Sequence, residues 1–235
     1  LMLVISALIL FQAVLGMWTV TWKLLPLVVM GHLLGGFTLT ACLYWAALLN
    51  HRTTLFETAP LLQSTQNHRA FWIMATVTGV VFVQIMLGGW TSANYAALIC
   101  PDLPGCQAHW WSLSALRQGF NLFSPIGKNY EFGILGEHAR AAIQMVHRWG
   151  ALITSAAVLF ALSWCVKQGP QGPLKWVIGL TASVLVCQVL LGMSNIVWLL
   201  PMPVAVAHNG LGLLLLLCCL TLCFIFRTSR ASSCT

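Results

Sequence analysis

Six charge-poor apolar stretches dominate this sequence and leave it few ways to fold. They cover residues 1–20, 27–49, 70–92, 139–165, 174–195 and 203–226. About 20 apolar residues are needed for a helix to cross the hydrocarbon core of a bilayer, and backbone polar groups in lipid must be paired within their own segment. The sequence therefore predicts an all-α polytopic membrane protein with six transmembrane helices.

The composition excludes the main alternatives. Only 6% of the 235 residues are charged and 59% are hydrophobic, whereas about a quarter of a soluble domain is typically charged. A large soluble domain and a disordered chain are therefore both excluded. The formal net charge of +7 is interpreted as a sign of membrane orientation and not of nucleic-acid binding, because Lys and Arg collect in cytoplasmic loops.

Basic residues concentrate on one side of the predicted membrane. That side carries Arg52, Arg69, Lys167, Lys175, Arg227 and Arg230, whereas the other side mixes Lys23, Arg117 and Lys128 with Asp102, Glu131 and Glu137. The positive-inside rule then predicts a cytoplasmic loop at 50–69, a periplasmic loop at 93–138 and a cytoplasmic tail at 227–235. We expect a bacterial inner membrane protein with both ends of this chain in the cytoplasm.

An internal repeat relates the two ends of the chain. A shift of 176 residues gives nine identities in 25 gapless positions, including Gln12 on Gln188, Gly16 on Gly192 and His32 on His208. The hairpin 1–49 therefore recurs at 174–226, and Gln84-x-x-Leu87-Gly88 repeats the same helix ending. We expect 70–226 to be a complete four-helix bundle and 1–49 to be the second hairpin of another. The chain also opens at Leu1 in an uncharged run, so we expect an eight-helix protein of which these are the last six helices.

Three histidines fall inside predicted spans: His32, His147 and His208. Ionisable residues within the membrane are costly and usually functional. Each lies about 7 to 12 Å from the outer end of its span at 1.5 Å per residue, and each is followed at i+4 by Gly or Ala. This arrangement favours a heme ligated by two histidines. Two alternatives stay open, because ordinary helix packing also uses small residues and a histidine can form a hydrogen bond to a neighbouring helix.

A polar stripe surrounds the middle histidine. Arg140, Gln144, His147 and Arg148 occupy positions i, i+4, i+7 and i+8 of one helix. An arginine within the membrane costs about 2.5 to 3.5 kcal/mol, so Arg148 should face a buried anion or extend outward. Heme propionates are such anions and bind guanidinium groups well. Arg140 has the same two options.

Cys100 and Cys106 enclose two prolines in the long outer loop. In an oxidising compartment this pair predicts a disulfide, which stabilises the protein by roughly 2 kcal/mol in the chain-entropy model. A purely structural role and a redox role are both open.

An ordered set of motifs resembles the heme A synthase family across essentially the whole chain. The motifs are Gly31-His32-Leu33, Leu87-Gly88-Gly89-Trp90-Thr91, the C-P-D-x-P-x-C loop, Gln144-Met145-Val146-His147-Arg148 and Ala207-His208-Asn209-Gly210. The resemblance implies eight helices in two pseudo-symmetric four-helix bundles. It also implies that His147 and His208 ligate heme b in the C-terminal bundle, and that His32 is one of two histidines at the catalytic heme site of the other.

The resemblance implies an oxidoreductase that converts the methyl group of heme O into the formyl group of heme A. Heme O and an external electron donor would be its partners, with heme O synthase and cytochrome oxidase assembly factors as further candidates. The family's second catalytic histidine, and the glutamate three residues before it, belong to a helix not found here; Gln144 holds that glutamate's place in the second half.

Two other functions stay open at this point. A bis-histidine b-type cytochrome that only carries electrons explains His147 and His208 but gives no role to His32. A transporter explains the repeat as a transport scaffold and treats the histidines as packing residues.

Overall fold

The computed structural model describes residues 1–50, 64–123, 129–169 and 172–228. Within them lie seven helices: α1 (Met2–Thr21), α2 (Pro26–Asn50), α3 (Ser64–Ala93), α4 (Leu113–Gly119), α5 (Glu137–Lys167), α6 (Pro173–Val197) and α7 (Met202–Thr228). All but α4 contain a segment long and apolar enough to cross a membrane. Both ends of each predicted span lie within two residues of the ends of the corresponding segment. The prediction of an all-α polytopic membrane protein is confirmed.

The sidedness of these helices stays a prediction. Arg52, Lys128 and Arg230, together with most of the 50–69 loop and of the 227–235 tail, lie outside the described residues. We call the end of the bundle where α3 ends and α5 begins the loop end, without reference to a compartment.

Four of the long helices close into a ring. Helix α3 packs against α5 and α7, and α6 packs against the same two helices. The ring encloses one apolar core, whose fully buried side chains include Met74, Val81, Val158, Leu174, Leu222, Ile225 and Phe226. Helices α1 and α2 form a hairpin whose α2 packs against α3 and α7, where the Tyr44 and Thr221 hydroxyls are hydrogen bonded at 2.6 Å. The described fold is therefore a four-helix bundle with a hairpin against one side.

Three helices end in the same way at the loop end. Positive φ angles follow α1 at Lys23 and Leu24, α6 at Leu199 and Leu200, and α3 at Tyr95. A left-handed residue after a helix lets a later N–H reach back to an unpaired carbonyl of the last turn. The hydrogen bonds of this kind run from the N–H of Leu24 to the carbonyl of Thr19 at 2.9 Å, from that of Leu200 to Asn195 at 2.7 Å and from that of Ala96 to Thr91 at 2.9 Å. The sequence repeat is thus a repeat of backbone geometry.

The long loop folds back over these helix ends. It contains α4, a short helix that the hydropathy pattern does not predict, which begins where the Ser112 hydroxyl accepts a bond from the N–H of Ala115 at 3.2 Å. The indole N–H of Trp90 donates to the carbonyl of Gly119 at 2.8 Å. Tyr130 is 1% exposed, and its N–H donates to Lys23 O at 3.1 Å. The loop therefore connects the four-helix bundle to the turn of the first hairpin.

Candidate functional site

Each of the three histidines lies against a glycine of a neighbouring helix. The glycine occurs five residues before the last residue of α1, α3 or α6. A Cβ on it would come within 3.1 to 3.2 Å of Cε1 of the facing imidazole, so no larger residue leaves the ring undisturbed. The pairs are Gly16 with His32, Gly88 with His147 and Gly192 with His208.

The structure groups two of the three histidines. His147 on α5 and His208 on α7 belong to the same four-helix bundle, are each partly buried, and are near enough to interact electrostatically. His32 lies on α2 and is exposed. His32 and His208 lie six residues into their helices, about 9 Å along the axis, and His147 lies ten residues in, about 15 Å. The predicted spans already place His147 three residues deeper than the other two, and the difference becomes four because α5 starts two residues before its predicted span whereas α2 and α7 each start one residue before theirs.

The two bundle histidines have different partners for Nδ1. In His208, Nδ1 lies 3.1 Å from the backbone carbonyl of Gln188. A carbonyl can only accept, so Nδ1 carries the proton and Nε2 keeps its lone pair. In His147, Nδ1 lies 3.0 Å from the side-chain amide nitrogen of Gln84, which also donates to the carbonyl of His147 at 3.0 Å. At His208, Nε2 therefore keeps the lone pair that a metal would need, and the side-chain amide nitrogen of Gln188 lies 3.5 Å from it.

The same glutamine recurs beside each histidine, one helical turn before the contacted glycine. Its amide packs against a second glycine on the facing helix, in the space that a side chain there would need. The pairs are Gln12 with Gly35, Gln84 with Gly150 and Gln188 with Gly212. Within the described part of the chain, one amide atom of each glutamine is buried without a hydrogen-bond partner, namely Gln12 Nε2, Gln84 Oε1 and Gln188 Oε1. In the sequence these glutamines indicate only the repeat, although their fixed spacing to glycine was the available signal of the site.

The Arg148 guanidinium binds the disulfide loop. Its Nη1 donates to the carbonyls of Asp102 at 2.7 Å, Gly105 at 2.7 Å and Pro104 at 3.2 Å, and its Nη2 donates to that of Cys100 at 2.5 Å. Among the residues that the structure describes, only Nε–H and one Nη2 hydrogen are left without an acceptor, and Nε is buried. The expectation that Arg148 faces a buried anion or extends outward has to be modified, because backbone carbonyls satisfy most of its donors.

The predicted disulfide between Cys100 and Cys106 is present, with Cα atoms 5.0 Å apart. Cys100 is fully buried and packs with Ala141 and Met145 of α5. Because successive residues of a helix differ by about 100° around its axis, a loop that holds Arg148 also fixes the direction in which His147 points. The disulfide loop thus restrains the rotation of the histidine-bearing helix α5 about its own axis.

The other two polar residues of the stripe are incompletely paired. Gln144 is 4% exposed, and its amide nitrogen donates to the carbonyl of Ala97 at 3.1 Å, while its Oε1 has no partner in the described ranges of the chain. Arg140 is partly buried, and its Nε has no partner among the described residues. Unpaired buried polar atoms are uncommon in proteins and call for an explanation.

The described part of the chain is thus a helical transmembrane bundle in which each hairpin holds a histidine against a glycine. Comparison with known proteins defines it further. The profile of the COX15-CtaA family, described as cytochrome oxidase assembly protein, matches residues 1–220. The chain therefore belongs to the heme A synthase (COX15-CtaA) family, and the predicted resemblance is confirmed.

Several heme A synthases are similar to this chain. That of Shewanella oneidensis is 44% identical over 98% of the chain and 68% of its own length. Those of Maricaulis maris and Rhizorhabdus wittichii are 28% and 27% identical, over 61% and 79% of this chain. The chain spans 38% and 47% of those two relatives. It is homologous to an oxidoreductase.

Proposed function

We propose that this chain is part of a heme A synthase that oxidises the methyl group of heme O to the formyl group of heme A, with heme b as its prosthetic group. The observation that carries the proposal is the pair of imidazoles, His147 and His208, held against glycines inside one four-helix bundle of a chain that belongs to the family. The methyl group is unactivated, and no protein side chain can oxidise it, so the chemistry requires a redox cofactor.

The residues present fit a heme. Imidazole is a common axial ligand of iron, and a ligating histidine needs its second ring nitrogen bonded elsewhere. His208 meets this requirement through the Gln188 carbonyl. Gln144 and Arg140, one turn apart on α5, also have a buried polar atom without a partner among the described residues, which a further polar group would satisfy.

Each side chain then has a definite role. His147 and His208 would hold the heme iron, and Arg140 would pair with the propionates, assisted by the remaining donors of Arg148. When bound, heme b supplies a redox-active iron that accepts and passes on single electrons. His32, on the first hairpin, would belong to the site that holds heme O.

The loop would protect this site from water. Helix α4 and the disulfide loop cover the end of the bundle nearest the histidines, and the buried Trp90–Gly119 bond attaches α4 there. We place the protein in a bacterial inner membrane, with both ends of this chain cytoplasmic. Its electrons would come from an external donor, and heme O synthase and cytochrome oxidase assembly factors would be its neighbours.

Two measurements test the proposal. The protein, expressed from its complete gene and purified, should give a pyridine hemochrome spectrum of heme b, and His147→Ala or His208→Ala should remove the low-spin signal. In cells that make heme O but lack their own heme A synthase, the same gene should cause heme A to accumulate. Colourless purified protein would overturn the heme assignment. Pigmented protein that leaves heme O unchanged would leave only an electron carrier.

A further inference from the structure

A groove between α5 and α6 has no role in the function proposed above. It has a volume of about 370 Å³ and an apolar lining formed by Leu159, Leu162 and Val166 of α5 and by Ile178 and Ala182 of α6. Leu162 and Ile178 are buried and form its floor, whereas Leu159 and Val166 are about half exposed and form its open side. This volume lies within the range of ordinary ligand pockets, about 300 to 1,000 Å³.

The groove lies on the edge of the four-helix ring opposite the first hairpin. The hairpin packs against α3 and α7, whereas the groove lies between the other two helices. In a single copy of the described chain the groove therefore opens to the membrane. From Leu159 to Lys167 it follows α5 for eight residues, about 12 Å. One leaflet of the hydrocarbon core is about 15 Å thick, so the groove has the depth that a single acyl chain needs.

One end of the groove is basic. Lys167, the last residue of α5, lines it, and Lys175 lies three residues before Ile178 on the same face of α6. Both lysines lie at the end of the bundle opposite the loop end, which the positive-inside rule places in the cytoplasm. The carboxylates of the described residues all lie at the loop end, namely those of Asp102, Glu131 and Glu137. Among the described residues, therefore, no carboxylate balances the charge of these two lysines.

An indole beside Lys175 indicates the depth of this end in the membrane. Trp176 is 74% exposed, and Nζ of Lys175 lies 5.6 Å from the centre of its ring. Tryptophan concentrates at the boundary between hydrocarbon and headgroups. The lysines therefore lie at the level of the headgroups, and the apolar groove continues from them into the hydrocarbon.

We infer that this groove is a binding site for an anionic phospholipid. The phosphate of the headgroup pairs with Lys167 and Lys175, and one acyl chain occupies the groove over Leu162 and Ile178. The hydroxyl of Ser163, which is exposed in the groove one turn deeper than Lys167, donates a hydrogen bond to an ester carbonyl of the same lipid. Basic pockets between transmembrane helices on the cytoplasmic side bind anionic headgroups in the same way.

The test is lipid retention, measured by native mass spectrometry of the protein expressed from its complete gene and purified in a neutral detergent. Phosphatidylglycerol and phosphatidylcholine with the same acyl chains are titrated in turn, and the wild-type protein should retain the first at concentrations at which the second is lost. Lys167→Gln should weaken this retention about fivefold, the contribution of one lysine near an anionic headgroup. Arg69→Gln is the matched control, because it removes an exposed charge at the same end from α3, which does not line the groove. It should leave retention unchanged.

A second variant separates the groove from the charges. Ser163→Phe keeps both lysines and places an aromatic ring in the groove, so it should also weaken the retention of phosphatidylglycerol. Ser163 is exposed, so the substitution should not prevent folding. Leu159→Trp, at another exposed position of the groove, repeats the test if Ser163→Phe cannot be purified.

Other results would overturn the inference. Equal retention of the two lipids, or an equal loss in Arg69→Gln, would show only a general attraction to a basic surface. Unchanged retention in Ser163→Phe and Leu159→Trp would show that no acyl chain occupies the groove. Release of phosphatidylglycerol by inorganic phosphate, but not by chloride at the same ionic strength, would show that the lysines hold a free anion. A dimer that Ser163→Phe separates would assign the groove to a second copy of the chain. None of these measurements depends on bound heme, so the proposed function is tested separately.

Discussion

Arg148 should stabilise the protein through the disulfide loop, and removal of its guanidinium tests this directly. Arg148→Met keeps an unbranched apolar stem and removes every donor. A hydrogen bond to a charged group contributes about 1.5 to 3 kcal/mol. Three of the four bonds reach carbonyls on the exposed part of the loop, which water can solvate after the substitution. The fourth reaches the carbonyl of the buried Cys100, which water cannot reach as easily.

Because one of these bonds is buried, we expect Arg148→Met to lower the free energy of unfolding by about 3 kcal/mol, the upper end of the range for one hydrogen bond to a charged group. Denaturant titration in detergent, followed by tryptophan fluorescence, measures the change. Arg117→Met is the matched control, because Arg117 is exposed on α4. An exposed substitution should change stability by less than about 0.5 kcal/mol.

A double-mutant cycle tests whether Arg148 acts through the loop. Loss of the disulfide by Cys100→Ser and Cys106→Ser should cost about 2 kcal/mol from chain entropy, and it should also disperse the carbonyls that Arg148 binds. The combined variant should therefore lose about 1 to 2 kcal/mol less than the sum of the separate losses. If the two losses add to within about 0.5 kcal/mol, Arg148 does not stabilise the protein through the disulfide loop. The heme b spectrum should persist in the cysteine variant if the disulfide is structural, and its loss would contradict that role.

Three further substitutions test the packing that surrounds the site. Gly88→Ala should lower the free energy of unfolding by about 1 to 2 kcal/mol, because the new methyl group overpacks against the facing imidazole. Gly179→Ala is its control: the new methyl group meets no described atom within 4 Å and should raise the free energy of unfolding by up to about 1 kcal/mol in the same titration. Equal effects of the two substitutions would contradict the close contact at Gly88. Trp90→Phe leaves a buried carbonyl of α4 without its donor and should cost about 1 to 3 kcal/mol, with faster amide exchange in α4; unchanged exchange would argue against this attachment. Tyr44→Phe should cost about 1 kcal/mol, because Thr221 keeps its bond to a backbone carbonyl, and no measurable loss would mean that this link between α2 and α7 is not stabilising.

The site could be predicted only as far as its residue types and spacing allowed. His147 and His208 stood out because an imidazole in a span is costly, and Cys100 and Cys106 because they close a short loop. The partners of Gln84 and Arg148 could not be predicted, since each meets a segment far away in sequence. Their bonds depend on how α3 and the long loop pack against α5.

What the sequence determined by itself was the set of spans, the repeat and the family. Lipid imposes this, because an apolar stretch of sufficient length has to become a helix that pairs its own backbone groups. The tertiary structure decided everything that depends on loop backbone, which follows no hydropathy period: helix α4, the burial of Tyr130 against the first hairpin, and the four carbonyls that converge on Arg148. It also separated the equivalent glutamines, since whether a side-chain amide or a backbone carbonyl meets the imidazole depends on small differences in helix packing that residue identity does not encode.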